Sequence, residues 1–375
     1  MSSFGKTLVR SRPGKVAWAV AATTIALGQL PFWLVYSIPK QLRPHPKWTY
    51  LQAISNRLLR AFVYHVSFME MQTPLRLEPA AEKERFVIIK PAVKDLYRGI
   101  LENADVQPAV TGGTWFPNLY KPKPGDEQSV VLYLHGGAFV IGEGRSADAG
   151  FPGKTLAENL NANVLSISYR LSSNPGCHFP AALQDAVTAY HYLLHESIEA
   201  KRIIIAGDSA GANLAVALLR YIVDSEGILP QPAAAILCSP WVDLDSARDP
   251  AILNEHRNYT TDFVPGNFTE CGAKSYVPRS MNAAYPYLSP LNHPFNTKTP
   301  LFVCFGGLEM LYDQCIAFAK NMKTAGNDVE IHIEPYASHA FLNVGDLTGF
   351  TAEAENSVRL AREWMSKNRI VPPLR

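Results

Sequence analysis

The sequence predicts an α/β protein, a mostly parallel central sheet covered by helices on both faces. Three observations carry this expectation. From residue 129 on, short β-branched runs alternate with longer amphipathic ones. The short runs are apolar throughout, as suits strands buried on both faces. Small-residue turns join strand-like to helix-like segments, the connection that repeated βα units need.

At 375 residues the chain is long for one domain, yet single α/β domains commonly exceed 250 residues, so length alone forces no split. Hydrophobic residues at 47% and charged residues at 18% describe a globular, slightly apolar protein. The net charge of +2 hides an asymmetry: residues 1–69 hold nine of the 35 Lys/Arg and none of the 33 Asp/Glu. Such a basic leader implies nucleic acid or membrane, and the residues between the charges decide. Residues 16–38, VAWAVAATTIALGQLPFWLVYSI, carry no formal charge over 23 positions. A bilayer crossing needs about 20 apolar residues. Lys6, Arg10, Arg12 and Lys15 precede this run, Lys40, Arg43 and Lys47 follow it, and Trp18, Trp33 and Tyr36 suit the interfaces. Residues 1–40 therefore read as a basic N-terminus and single-pass anchor of the endoplasmic-reticulum type, with membrane and not nucleic acid as the partner. A cleaved signal peptide and a hydrophobic helix on the body are the alternatives. Basic residues at both ends leave the orientation open.

Residues 41–105 read as N-terminal cap helices. Leu51, Ile54, Leu58, Phe62 and Val66 recur at helical spacing, as in an amphipathic helix lying on lipid or over a pocket. Ordinary core packing explains the same pattern equally well. Five cysteines show neither a disulfide framework nor a zinc spacing. Sequons at Asn258 and Asn267 do not settle the compartment.

The catalytic domain is expected over 106–375. Strands are predicted at 129–134, 163–169, 202–207, 233–238, 300–305 and 328–333, with helices between them. Residues 241–299 break the rhythm. They are rich in Pro, Asn and aromatic residues, and a segment that long in a compact domain predicts a cap insertion.

The strongest chemical signal is IAGDSAGANLA, where Gly207-Asp208-Ser209-Ala210-Gly211 follows a strand and opens a helix. This G-x-S-x-G context is the strained turn that lifts a nucleophilic serine in the α/β-hydrolase fold. Earlier, LYLHGGAFVIG at 132–142 places Gly136 and Gly137 just after a strand. Uncovered backbone N–H groups there, with that of Ala210, suit the oxygen that becomes negative in acyl transfer. His135 belongs to this H-G-G motif and reads as a loop-organising residue.

The order H-G-G-A-F, SYRL with FPAALQDA, G-D-S-A-G, SPWVDL and SHAF resembles the hormone-sensitive-lipase-like family of α/β-hydrolase esterases, over about residues 110–370. The basic, apolar N-terminus is similar to that of fungal relatives anchored in membranes, some of which deacetylate sterols. Two departures stand out. The family's A-P-E after Y-R-L is replaced by SSNPGCH, which predicts a reshaped loop near the pocket. The family's catalytic Asp position, in D-x-L-x-D, holds Glu309, with Leu311 and Asp313 in register.

Ten histidines compete to be the base. His339, in YASHAF just past the last predicted strand, lies where such a sheet gathers its site. His332 alternates within the strand and reads as structural. His191 and His195 have an i, i+4 spacing with no evident third ligand. Glu309 follows FGG at a strand's C-terminal edge and is the candidate acid, whereas Asp313 falls away from the buried face of the following helix. The order Ser209, Glu309, His339 is the nucleophile, acid, base order of this fold. The expected reaction is hydrolysis of an apolar ester through an acyl-enzyme, with no metal or organic cofactor implied. Acyl transfer by the same triad, or ligand binding without turnover, are the alternatives, and the oligomeric state is not legible.

Overall fold

The structure is a computed structural model, and it describes residues 12–69, 71–123 and 125–371. Lys6 and Arg10 of the basic leader lie outside the described residues. Eight strands form one sheet: β1 (Phe86–Ile89), β2 (Thr111–Phe116), β3 (Val130–Leu134), β4 (Asn163–Ser168), β5 (Ile203–Asp208), β6 (Ala234–Cys238), β7 (Leu301–Gly306) and β8 (Val329–Glu334). Their order is β1-β2-β4-β3-β5-β6-β7-β8. The pairs β1–β2 and β2–β4 are antiparallel, and all the others are parallel.

The parallel strands carry apolar residues on both faces because helices cover both. On one face lie α3 (Ser146–Leu160), α9 (Phe341–Thr348) and α10 (Thr351–Lys367), which bury Leu156, Phe341 and Val358 against Tyr133, Ile204 and Phe302. On the other lie α4 (Ala181–His195), α5 (Ala210–Asp224) and α8 (Tyr312–Thr324), with Val187, Leu214 and Phe318 against Leu132, Ile205 and Val303. Each such side chain removed from water contributes about 1.5–3 kcal/mol.

The antiparallel edge was not anticipated. Strand β2, TGGTWF, lacks the alternation of a strand pattern, and its glycines have a packing cause. A Cβ on Gly112 would collide with the Phe86 ring, and one on Gly113 would sit 2.7 Å from Leu165 Cδ1. The SYRL and FPAALQDA motifs meet as a buried pair: Arg170 Nη2 donates to Asp185 Oδ1 at 2.8 Å, and the Arg170 amide donates to Oδ2 at 2.8 Å.

Two helices precede the sheet: α1 (Arg12–Tyr36) and α2 (Tyr50–Met69). Helix α1 is long and apolar enough to cross a membrane, and most of its residues are exposed. Within 241–299 the chain forms α6 (Pro250–Asn254), α7 (Gly266–Tyr276) and turns. Helix α2 packs on α7 and α9, above the C-terminal ends of the parallel strands.

Candidate active site

Ser209 sits between β5 and α5 with φ 54° and ψ −117°, outside the regions an L-residue ordinarily occupies. Such a conformation costs on the order of 1–3 kcal/mol and persists because the surroundings fix it. The Ser209 amide donates to Cys238 O at 3.0 Å, and its carbonyl accepts from Asn213 at 3.0 Å and Trp241 at 3.2 Å. The turn also needs Gly211, where a Cβ would run into the Leu134 carbonyl. The result raises the hydroxyl above the sheet, half-buried at the floor of a cavity.

His339, between β8 and α9, brings Nε2 to 2.8 Å from Ser209 Oγ. Its Nδ1 lies 3.6 Å from Glu309 Oε2, an ion-pair distance, with no closer partner among the described residues. Burial alone would lower the imidazole pKa. The Glu309 carboxylate, aided by Asp262 and Asp208, outweighs burial and raises it above 6.5.

Glu309 follows β7 and is fully buried. Its Oε2 accepts from Ser239 Oγ at 2.6 Å and the Gly306 amide at 3.2 Å, and its Oε1 lies 3.4 Å from Cys315 Sγ. Ser239 Oγ in turn accepts the Ala340 amide at 3.0 Å, so one hydroxyl ties Glu309 to the loop that carries His339. From the 241–299 segment, Asn258 Nδ2 donates to the carbonyls of Glu309 at 3.0 Å and Gly307 at 3.2 Å. Asp262 accepts the Met310 amide at 2.6 Å. Sequence reasoning missed Ser239, Asn258 and Asp262 as site residues. The sequence hint was SPWVDL for the first; for the other two the signal is tertiary only. Asn258, although a sequon, is buried with its side-chain amide committed.

Asp313 is exposed and distant in role: Arg257 grips it with two bonds of 2.7 and 2.8 Å, and His256 Nε2 lies at 3.0 Å. His332 pairs with Glu334 at 2.8 Å. His191 and His195 rings lie 6.3 Å apart, and among the described residues no group of three or more potential ligands gathers there.

The H-G-G-A-F loop borders the serine. His135 is buried, its Nδ1 is 2.7 Å from Gly136 O, and its ring stacks on Tyr169 at 4.2 Å. Burial pushes its pKa down to about 4, so it is a neutral packing element. Gly137 holds φ 111°, and a Cβ there would strike the Ile141 carbonyl. Asp208 is fully buried and takes a hydrogen bond from Tyr133 Oη at 2.8 Å, while burial pushes its pKa up to about 7. Ala210 opens α5, where a first-turn N–H has no intrahelical acceptor. The SSNPGCH loop braces this wall: Ser172 N donates to Phe139 O at 2.8 Å and Asn174 Nδ2 to Thr73 O at 2.7 Å.

Above these groups is a cavity of about 410 Å³ whose walls include Leu59, Val63 and Val66 of α2, Trp241, and Phe268 of α7. Polar groups at its floor and apolar groups on its sides suit an ester with a hydrocarbon part.

A family model described as the alpha/beta hydrolase fold matches residues 131–343. The chain is 33% identical over 211 residues to an acetyl-hydrolase of Streptomyces hygroscopicus, covering 56% of this chain and 67% of that protein. It is 28% identical over 244 residues to an ethyl acetate hydrolase of Pseudomonas putida, covering 63% and 74%. Among solved structures it is similar to an esterase from the bacterial hormone-sensitive lipase family, with a TM-score of 0.61 and 25% identity over 85% of this chain and 98% of that one.

Proposed function

The chain belongs to the α/β-hydrolase-fold family, and from that premise we propose that Ser209, His339 and Glu309 are the triad with which it works as a serine carboxylic-ester hydrolase. The observation that carries the proposal is the 2.8 Å approach of His339 Nε2 to the strained Ser209 hydroxyl. Relatives named as acetyl-hydrolase and ethyl acetate hydrolase support ester hydrolysis as the reaction.

In acylation, Ser209 Oγ forms a bond to the ester carbonyl carbon while His339 Nε2 takes its proton. The carbonyl oxygen becomes negative against backbone N–H groups. Gly136, Gly137 and Ala210 are the candidate donors. When the C–O bond to the alcohol breaks, His339 returns the proton to the leaving oxygen. Water then attacks the acyl-enzyme, His339 again accepts a proton, and Ser209 Oγ leaves with it. Glu309 orients the imidazole and stabilises its charged form.

The substrate class is a short acyl ester, such as an acetate, of an apolar alcohol of sterol or terpenoid size. The apolar cavity walls support this, as does the exposed apolar α1, which is long enough to cross a membrane. Acetates of alcohols graded in size, compared with p-nitrophenyl esters graded in acyl length, test it. Turnover should fall as the acyl chain grows and rise as the alcohol becomes larger and more apolar. Equal use of small polar alcohols would overturn the substrate class.

A further inference from the structure

The first two helices share a geometry that an upright crossing does not allow. Helix α2 turns back along α1: Tyr50 Oη donates to Leu34 O at 2.9 Å and Arg57 stands 5.4 Å over the Tyr36 ring at one end. At the other end Trp18 packs on Phe68 at 5.4 Å and on His65 at 5.7 Å. From residue 18 to 34 a helix rises about 24 Å, most of a hydrocarbon core. The turn between them is held by side-chain hydrogen bonds. Arg43 donates from Nε to Ser37 O at 2.9 Å and from Nη1 to Trp48 O at 2.7 Å, and Trp48 Nε1 donates to Tyr336 O at 2.7 Å.

The other face of α2 belongs to the body. Ala53, Ile54, Val63 and Val66 are buried, and Arg60 Nη1 donates to the carbonyls of Tyr259 at 2.7 Å and Asp262 at 2.6 Å. If α1 crossed the bilayer upright, α2 and the polar body bonded to it would be drawn into hydrocarbon, where unsatisfied polar groups are not tolerated.

The exposed surface beside this hairpin is apolar and basic. On α1, Val20 is 61% and Leu27 63% exposed, and Leu51 of α2 is 62% exposed. Lys40 and Lys47 stand out at the turn, and residues 1–69 contain no acidic residue. Three residues that line the cavity above Ser209 are themselves exposed at its mouth: Phe62 (58%), Met71 (44%) and Leu347 (62%). A rim of apolar side chains that also carries the exposed Asp148 and Asp346, continuous with an apolar helix whose turn bears lysines, fits a lipid surface.

We infer that α1 and α2 form a hairpin lying in the plane of one leaflet, which seats the cavity mouth on lipid so that the ester enters the Ser209 site from the membrane. This arrangement is monotopic, with the N-terminus and the catalytic body on the same side. The ester-entry clause rests on the esterase reading above; the seating of the hairpin does not.

The test uses the full chain with tags at both termini. In sealed microsomes the two tags should share one fate under external protease; one tag cleaved and the other protected would overturn the inference in favour of a span. In the second arm, Val20→Glu/Leu27→Glu, and separately Leu51→Glu, are compared with the parent on vesicles of phosphatidylcholine and phosphatidylserine. Hydrolysis of soluble p-nitrophenyl butyrate should be unchanged, which also reports folding. Flotation with vesicles should be lost for the double variant, and hydrolysis of vesicle-dissolved dodecyl acetate should slow about tenfold as apolar contact with lipid is removed. Parent-like flotation and parent-like dodecyl acetate turnover in these variants would overturn the inference. A parent chain that floats with both tags on one side yet hydrolyses neither ester would sink the esterase reading and uphold the hairpin.

Discussion

Ser239 donates a 2.6 Å hydrogen bond to Oε2 of Glu309, the same oxygen that faces His339 Nδ1 at 3.6 Å. Because Ser239 Oγ also accepts the Ala340 amide, it ties Glu309 to the loop that carries His339. A hydrogen bond to a charged group contributes about 1.5–3 kcal/mol. Ser239→Ala should therefore lower kcat about 10- to 100-fold with little change in KM. Stopped-flow or steady-state assays on p-nitrophenyl butyrate check this, and an unchanged kcat would remove Ser239 from the positioning of Glu309.

The two carboxylates four residues apart should separate cleanly. Glu309→Gln should cut turnover by about 10⁴, the scale of a triad acid changed to its amide. Asp313 lies in an exposed cluster with Arg257 and His256. Such pairs contribute about 0–1 kcal/mol, so Asp313→Asn should lower Tm by about 1 °C and leave turnover near the parent value. An inactive Asp313→Asn beside an active Glu309→Gln would reverse the assignment.

The pH dependence follows from His339. Its pKa is raised above 6.5 because the carboxylate of Glu309 outweighs burial. The base must be neutral, so kcat/KM should rise through an inflection above 6.5. The stability contribution has the opposite sense. A raised folded pKa stabilises the protein fully below the unfolded value and loses that contribution as pH climbs through the folded value. Activity should therefore rise while this part of the stability falls, over the window above 6.5. Glu309→Gln should move the kinetic inflection downward; an inflection that stays in place would show that Glu309 does not set it.

Asn258 should carry no glycan even in a secretory compartment, because its side-chain amide is buried and bonded to the Gly307 and Glu309 carbonyls. Asn258→Ala leaves the Gly307 carbonyl without its donor and the Glu309 carbonyl with only the Tyr312 amide, at a cost of about 1–3 kcal/mol, so Tm and kcat should fall together. Peptide mapping before and after amidase treatment checks the first point, and a glycan on Asn258 would contradict the packing described.

What the sequence made legible was local chemistry. The Gly207-Ser209-Gly211 spacing identifies a strained strand-to-helix turn because no larger residue fits beside the Leu134 carbonyl. Glu309 was placed by its distance from a strand end, and Asp313 by its helical phase. Strand β2 was not legible, since Gly112 and Gly113 yield their side-chain space to Phe86 and Leu165, which are remote in sequence. Ser239, Asn258 and Asp262 act on the acid loop across 48 to 70 residues. No periodicity carries that information. Nor did hydropathy show that α2 folds back on α1: a charge-free run of 23 residues reads alike whether it crosses a bilayer or lies along one.

The most direct measurement is the turnover of p-nitrophenyl butyrate by Ser209→Ala. The alanine removes one oxygen from a half-buried site and leaves the packing of the turn in place. The account predicts a loss on the order of 10⁶ in kcat, the scale known for a removed triad nucleophile, with Tm within a few degrees of the parent. Hydrolysis by the alanine variant at the parent rate would contradict the account.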